Sequence, residues 1–123
     1  MATLGDRVFD NGLSVFGAEA TDIHITNSEA TDFTDATTTS TLGNGTMPAV
    51  TGPADRTGGG REVVIAALTG GSVTASGTAS HYAIVDATNS RLLATGSLTA
   101  TQAVTNGNTF SLDTFNIGIP DPA

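Results

Sequence analysis

The sequence predicts an all-β fold, a single-domain antiparallel β-sandwich or barrel, and three observations carry the prediction. Thr, Gly, Ala and Ser dominate the chain. Apolar residues come in short runs broken by Gly or Asn pairs, and several runs alternate apolar with polar residues. At 123 residues the chain has the size of one domain with one modest core, so residues 1–123 are expected to fold as a single unit.

The elements follow in order. Residues 1–9 are expected to form an N-terminal arm. Arg7 to Phe9 and Leu13 to Phe16 flank Asp10-Asn11-Gly12, and Asn-Gly between apolar runs signals a hairpin. Asp22 to Thr26 alternates as a strand, with Ile23 and Ile25 on one face and His24 on the other. Ser28 to Phe33 can cap and begin one helical turn, the only helix expected, within Ser28 to Ala36. Residues 42–60, rich in Gly and Pro, read as a long irregular loop, a feature uncommon in compact domains unless it binds something.

The second half is more regular. Glu62 to Leu68 reads as a strand buried on both faces and closed by Gly70-Gly71, with a short strand over Ser72 to Ser76. Ser80 to Val85 is the best core strand, and the turn after Asp86 sends the chain back through Arg91 to Thr95 as a hairpin. Leu98, Val104, Phe110, Leu112, Phe115, Ile117 and Ile119 belong to further short strands. Ile65, Ile84 and Val85, each central in an apolar run, are expected in the core.

Charge and composition exclude several classes. The net charge is −8, the basic residues are four arginines, and most acids precede Glu62. That balance repels phosphate backbones and anionic membranes, so nucleic acid and membrane are not expected partners. No Cys is present, which removes disulfides, thiolate metal sites and thiol nucleophiles. With few aromatics the core must rest on Val, Ile, Leu and Ala, and a partner surface is expected to complete the burial. The first residues lack a basic stretch followed by an apolar run, and no stretch is long enough to span a bilayer, so synthesis in the cytoplasm is the expectation.

Candidate chemistry is sparse. Asp22 and His24 point to one strand face, yet a zinc site needs further ligands, and solvated strand polar groups are the simpler reading. His81-Tyr82 with Ser80 and Asp86 suggests acid–base work, but His81 or Tyr82 packed at the core edge with its polar tip on the backbone is the preferred reading. Glu29, Asp32 and Asp35 form a carboxylate cluster without the spacing of a calcium loop. Arg56-Thr57-Gly58-Gly59-Gly60-Arg61 lacks the Lys-Ser/Thr of a phosphate cradle and reads as a flexible hinge. Its two arginines are suited to fork onto carboxylates of a neighbouring subunit. No catalytic residue, cofactor or metal is expected, and the chain is read as a non-enzyme.

One string of motifs carries a resemblance: Gly59-Gly60-Arg61-Glu62-Val63, Gly70-Gly71-Ser72-Val73, Ala79 to Asp86, Arg91 to Gly96, and Gly107-Asn108-Thr109-Phe110, with echoes at Asp10 to Leu13 and Ser28 to Ala30. It resembles a group of small virion proteins of tailed bacteriophages. In these a strand of the type Ser-His-aromatic-Ala-apolar-Val-Asp precedes a Leu-Leu-Ala hairpin arm. The resemblance implies a capsid decoration (cement) protein, oligomeric and commonly trimeric, sitting on the virion surface with the major capsid protein and itself as partners. Arg7, Arg56 and Arg61 are the expected partner-contact residues. A tail or fibre-associated module is the alternative reading, and a small hydrolase using His81 and Asp86 the third.

Overall fold

Strands account for 56% of the chain and helix for 15%, and every strand pair is antiparallel, so the all-β class predicted from the sequence is the class observed. The computed structural model describes residues 6–119, with side chains from residue 11. These residues form two compact units, one of residues 6–19, 48–67 and 113–119, the other of residues 20–47 and 68–112.

The first unit packs helix α1 (Asp6–Glu19) on a three-stranded sheet of β3 (Val50–Asp55), β4 (Arg61–Ile65) and β9 (Phe115–Ile119), in the order β3-β4-β9. The helix replaces the hairpin expected around Asn11-Gly12 and takes in residues 6–9 of the expected arm; residues 1–5 lie outside the described residues. The physical reason is a competing period. Gly12, Leu13, Phe16 and Gly17 share one helical face, where Leu13 is buried and Phe16 half-buried, while Val15 faces out. A Cβ at Gly12 would meet Ile119 at 3.7 Å and one at Gly17 would meet Val50 at 3.5 Å, so the glycines sit on the sheet side of the helix. Burial of that face outweighs the local turn preference of Asn-Gly.

The sheet of this unit also revises the reading of Glu62 to Leu68. Val63 and Ile65 are buried but Val64 between them is 37% exposed, so β4 buries one face only. The strand stops at Ile65, and Leu68 opens the next strand in the second unit.

That second unit is a six-stranded sheet of β1 (Asp22–Thr26), β2 (Thr41–Thr46), β5 (Leu68–Val73), β6 (Gly77–Asp86), β7 (Arg91–Val104) and β8 (Thr109–Leu112), in the order β7-β6-β1-β2-β5-β8. β1 is central and buried on both faces: Ile23 and Ile25 on one, His24 and Thr26 on the other. Beside it, Ile23 pairs with Ile84 and His24 with Ala83. Ala83 and Val85 are covered by Ala30, Phe33 and Ala36 of the β1–β2 connection, which holds a single π turn at Asp35–Thr39. On the other side Ile25, Leu42 and Ala79 form a core with half-buried Leu98, Val104, Phe110 and Leu112. Ile65, Ile84 and Val85 are all fully buried, as expected of core positions.

The stretch 42–60, expected as one long loop, holds the rest of β2 and all of β3. Gly43 explains why β2 looked like loop. A Cβ there would collide with the carbonyl oxygen of Ser72, so the glycine is what lets β5 lie against β2. Gly70-Gly71, expected to end a strand, lies inside β5.

Candidate functional site

The side chains singled out for chemistry are mostly engaged in holding the backbone. His24 is buried, and its Nδ1 lies 2.9 Å from Thr41 Oγ1 on the neighbouring strand. Burial pushes its pKa below the usual histidine value, against the pull of the Asp22 carboxylate. A buried, neutral, hydrogen-bonded imidazole in the central strand is a packing residue. Among the described residues no group of three or more His, Asp or Glu side chains gathers as metal ligands.

His81 Nδ1 lies 2.8 Å from the hydroxyl of its neighbour Ser80, while Asp86 is occupied at the far end of β6. The Asp86 carboxylate accepts from the Thr88 and Asn89 amides at 3.0 and 3.3 Å, from Asn89 Nδ2 at 2.9 Å, and from Arg91 Nη2 at 3.1 Å. The Asn89 side chain, helped by the Asn89 amide and Arg91, holds its pKa below the usual carboxylate range. This buried aspartate closes the β6–β7 turn, and Ser80, His81 and Asp86 do not converge.

The acidic cluster is likewise a turn device. Asp35 accepts from the Ser40 hydroxyl and, at 3.0 Å, from the Thr31 amide, and these bonds lower its pKa, the Ser40 bond most. Asp32 accepts from the Asp35 amide at 2.8 Å, and Glu29 accepts from Thr95 Oγ1 at 3.2 Å. Asp32 and Asp35 thus hold their own connection, whereas Glu29 reaches across to Thr95 of β7.

The arginines expected at a partner lie in the β3–β4 hairpin. Gly58, Gly59 and Gly60 all have φ between 90° and 104°, which only glycine adopts without strain, so the expected hinge is a defined turn. Arg56 donates from its amide to Gly60 O and from Nη1 to Gly59 O at 3.1 Å. Arg61 pairs with Asp55 at 2.6 Å and reaches Pro53 O at 3.4 Å. Both thus brace the hairpin from within, while Thr57 and Gly58 at its tip are exposed. The side chain of Arg7 lies outside the described residues.

A cavity of about 330 Å³ lies in the second unit, between the end of β7 and strand β8. Gln102, Thr105, Asn108, Thr109 and Ser111 line it together with Phe110, a set with hydrogen-bonding groups and no formal charge. Asn108, Thr109 and Phe110 stand in the motif string of the resemblance, but the sequence gives no expectation of a cavity at these residues. The available signal is the charge pattern: from Ala87 to Leu112 the sole charged side chain is Arg91.

No protein-family model matches the chain, and neither a curated protein nor a solved structure matches it.

Proposed function

We propose that this chain is a structural virion protein, a capsid decoration protein that binds the head lattice of a tailed bacteriophage through the exposed β3–β4 hairpin. The observation that carries the reading is that the central motifs of the resemblance, Ala79 to Asp86 and Arg91 to Gly96, form one hairpin. Its turn is locked by the Asp86 bonds and its strands pair from Gly77↔Val104 to Asp86↔Arg91. A braced hairpin such as β3–β4 docks with little ordering cost, which suits a contact repeated over a lattice. Binding the major capsid protein then draws on Arg56 and Arg61, whose guanidinium forks match carboxylates of a partner.

The experiment is binding of the purified protein to undecorated particles, with copy number per particle as the readout. Hundreds of copies support a lattice component, and a handful place it at the tail or neck. The paired substitution Arg56→Ala with Arg61→Ala is expected to reduce particle binding more than it lowers the melting temperature of the free protein, because the Arg61–Asp55 pair is largely solvent-exposed on the aspartate side. Unchanged binding removes the arginines from the contact.

The uncharged cavity favours a second reading, a tail or fibre-associated module that takes a neutral sugar. Gln102, Asn108 and Ser111 offer donors and acceptors suited to hydroxyl groups, and Phe110 offers an apolar surface. Glycan-array binding lost on Gln102→Ala would support this reading over the capsid one.

A further inference from the structure

Of the arginines whose side chains are described, Arg61 and Arg91 are each bonded to a carboxylate. Arg61 Nη1 lies 2.6 Å from Asp55 Oδ1, and Arg91 Nη2 lies 3.1 Å from Asp86 Oδ2. Arg56 differs. Its half-buried side chain makes one bond, from Nη1 to Gly59 O at 3.1 Å, and no carboxylate among the described residues pairs with it. Glu62, which faces Gly118 across β4 and β9, accepts from Asn116 Nδ2 at 3.3 Å instead. Among the described residues Arg56 Nε and Nη2 are thus donors that the hairpin leaves unused.

The side chain is also held in place. A Cβ at Gly118 would come within 2.9 Å of Arg56 Cδ, 3.2 Å of its Nε and 3.3 Å of the Arg61 carbonyl oxygen, so the stem of Arg56 occupies the space that the bare glycine leaves on β9. Gly118 has no positive φ, and room is therefore what this position requires. With its stem laid on β9 and Nη1 tied to Gly59 O, a long side chain has fewer rotamers to lose when it binds an anion. In a chain of net charge −8, a cation fixed in this way suits a carboxylate supplied by another molecule.

Taking the β3–β4 hairpin as the partner contact, a reading on which the proposal rests, we propose that Arg56 is the arginine that receives a carboxylate of the partner, through Nε and Nη2, and that Gly118 is its positioning residue. Arg61, held by Asp55 and Pro53 O, serves mainly the hairpin itself. The two arginines then divide the work: one keeps the shape of the contact and the other supplies its charge.

Single variants are compared for binding to undecorated particles, and the free protein is followed by NMR at the arginine Nε–H groups during titration with acetate, with chloride at equal ionic strength as the control. Arg56→Ala is expected to weaken particle binding about two- to fivefold, the range of an exposed ion pair, and Arg61→Ala less. Gly118→Ala keeps the charge but pushes Arg56 off β9, and is expected to weaken binding and to move the Arg56 Nε–H resonance. Acetate, more than chloride, is expected to shift Arg56 Nε–H and to shift it further than Arg61 Nε–H. A loss for Arg61→Ala as large as that for Arg56→Ala overturns the proposal. Acetate shifts that fall equally on both arginines, or on neither, overturn it as well, and that result stands even if Gly118→Ala does not fold. If the wild-type protein fails to bind particles, the capsid reading is lost and the acetate titration decides the role of Arg56 by itself.

Discussion

Tyr82 and Gly96 are register partners across the β6–β7 hairpin, and the tyrosine ring fills the space a side chain at 96 would occupy: a Cβ there would come within 2.5 Å of Tyr82 Oη and 2.6 Å of Cε1 and Cζ. Gly71 and Phe110 repeat the arrangement between β5 and β8, where a Cβ at 71 would meet the ring at 2.5 Å. Each aromatic covers the bare backbone of the glycine opposite, which lets a chain poor in aromatics shield its strands. Gly96→Ala should therefore destabilise the protein by about 1–3 kcal/mol through overpacking. Chemical denaturation of the Gly96→Ala, Tyr82→Ala and double variants checks this. The glycine substitution should cost clearly less once the ring is gone, and an equal cost in both backgrounds would remove Tyr82 as the reason.

Ile84 and Ile65 are fully buried, one in each unit. Truncation of either to Ala should cost about 2–5 kcal/mol, the range for deleting buried methyl and methylene groups. An unchanged denaturation midpoint for Ile84→Ala would mean that β6 does not carry the core of its sheet.

His24 makes stability fall with acidity. Burial lowers its folded-state pKa below the unfolded value of about 6.5. The folded protein therefore binds fewer protons than the unfolded chain between those two values. Its contribution is fully present above about pH 6.5 and is lost as the pH falls from there toward the folded-state value. Asp35 and Asp86, whose pKa values are also lowered, lose their contributions only below the ordinary carboxylate range. Melting temperature against pH should thus show a first decline starting near neutrality that His24→Gln flattens, and a second at lower pH that it leaves in place.

Asp86→Ala should lower the melting temperature by several degrees and loosen the β6–β7 turn, because two amides, one side-chain amide and Arg91 lose their common acceptor. Hydrogen exchange at the Thr88 and Asn89 amides checks it. Protection at those two amides that survives the substitution would show that the turn holds itself without the carboxylate.

Parts of the fold are legible in the sequence because their signals are local. β6 and β7 join runs of strong strand formers through Asp86 and a polar turn, and β1 alternates Ile23, His24 and Ile25 cleanly. The candidate surfaces were legible only in part. Arg56 and Arg61 stand out as rare cations in an acidic chain, but that they brace their own hairpin follows from the positive φ angles at Gly58 to Gly60, which place carbonyls within reach of Arg56. The cavity residues are marked in the sequence only by the lack of charge from Ala87 to Leu112 apart from Arg91, a pattern that does not by itself indicate a cavity at the turn from β7 to β8.

By itself, the sequence determines the β class, the buried positions of Ile65, Ile84 and Val85, and the hairpin at Asp86, since each depends on residues near one another in the chain. Tertiary structure decides what depends on distant partners. Asn11-Gly12 favours a turn in isolation, yet packing of Leu13 and Phe16 makes it helix, with Gly12 set near Ile119. Gly43-Asn44-Gly45 lacks strand propensity, yet β1 pairs with all three residues and β5 with Gly43 and Asn44, and the missing side chain at Gly43 is what admits β5. Backbone pairing and burial across long sequence separations outweigh propensities of a few tenths of a kcal/mol to about 1 kcal/mol per residue, so those segments take the structure their neighbours impose.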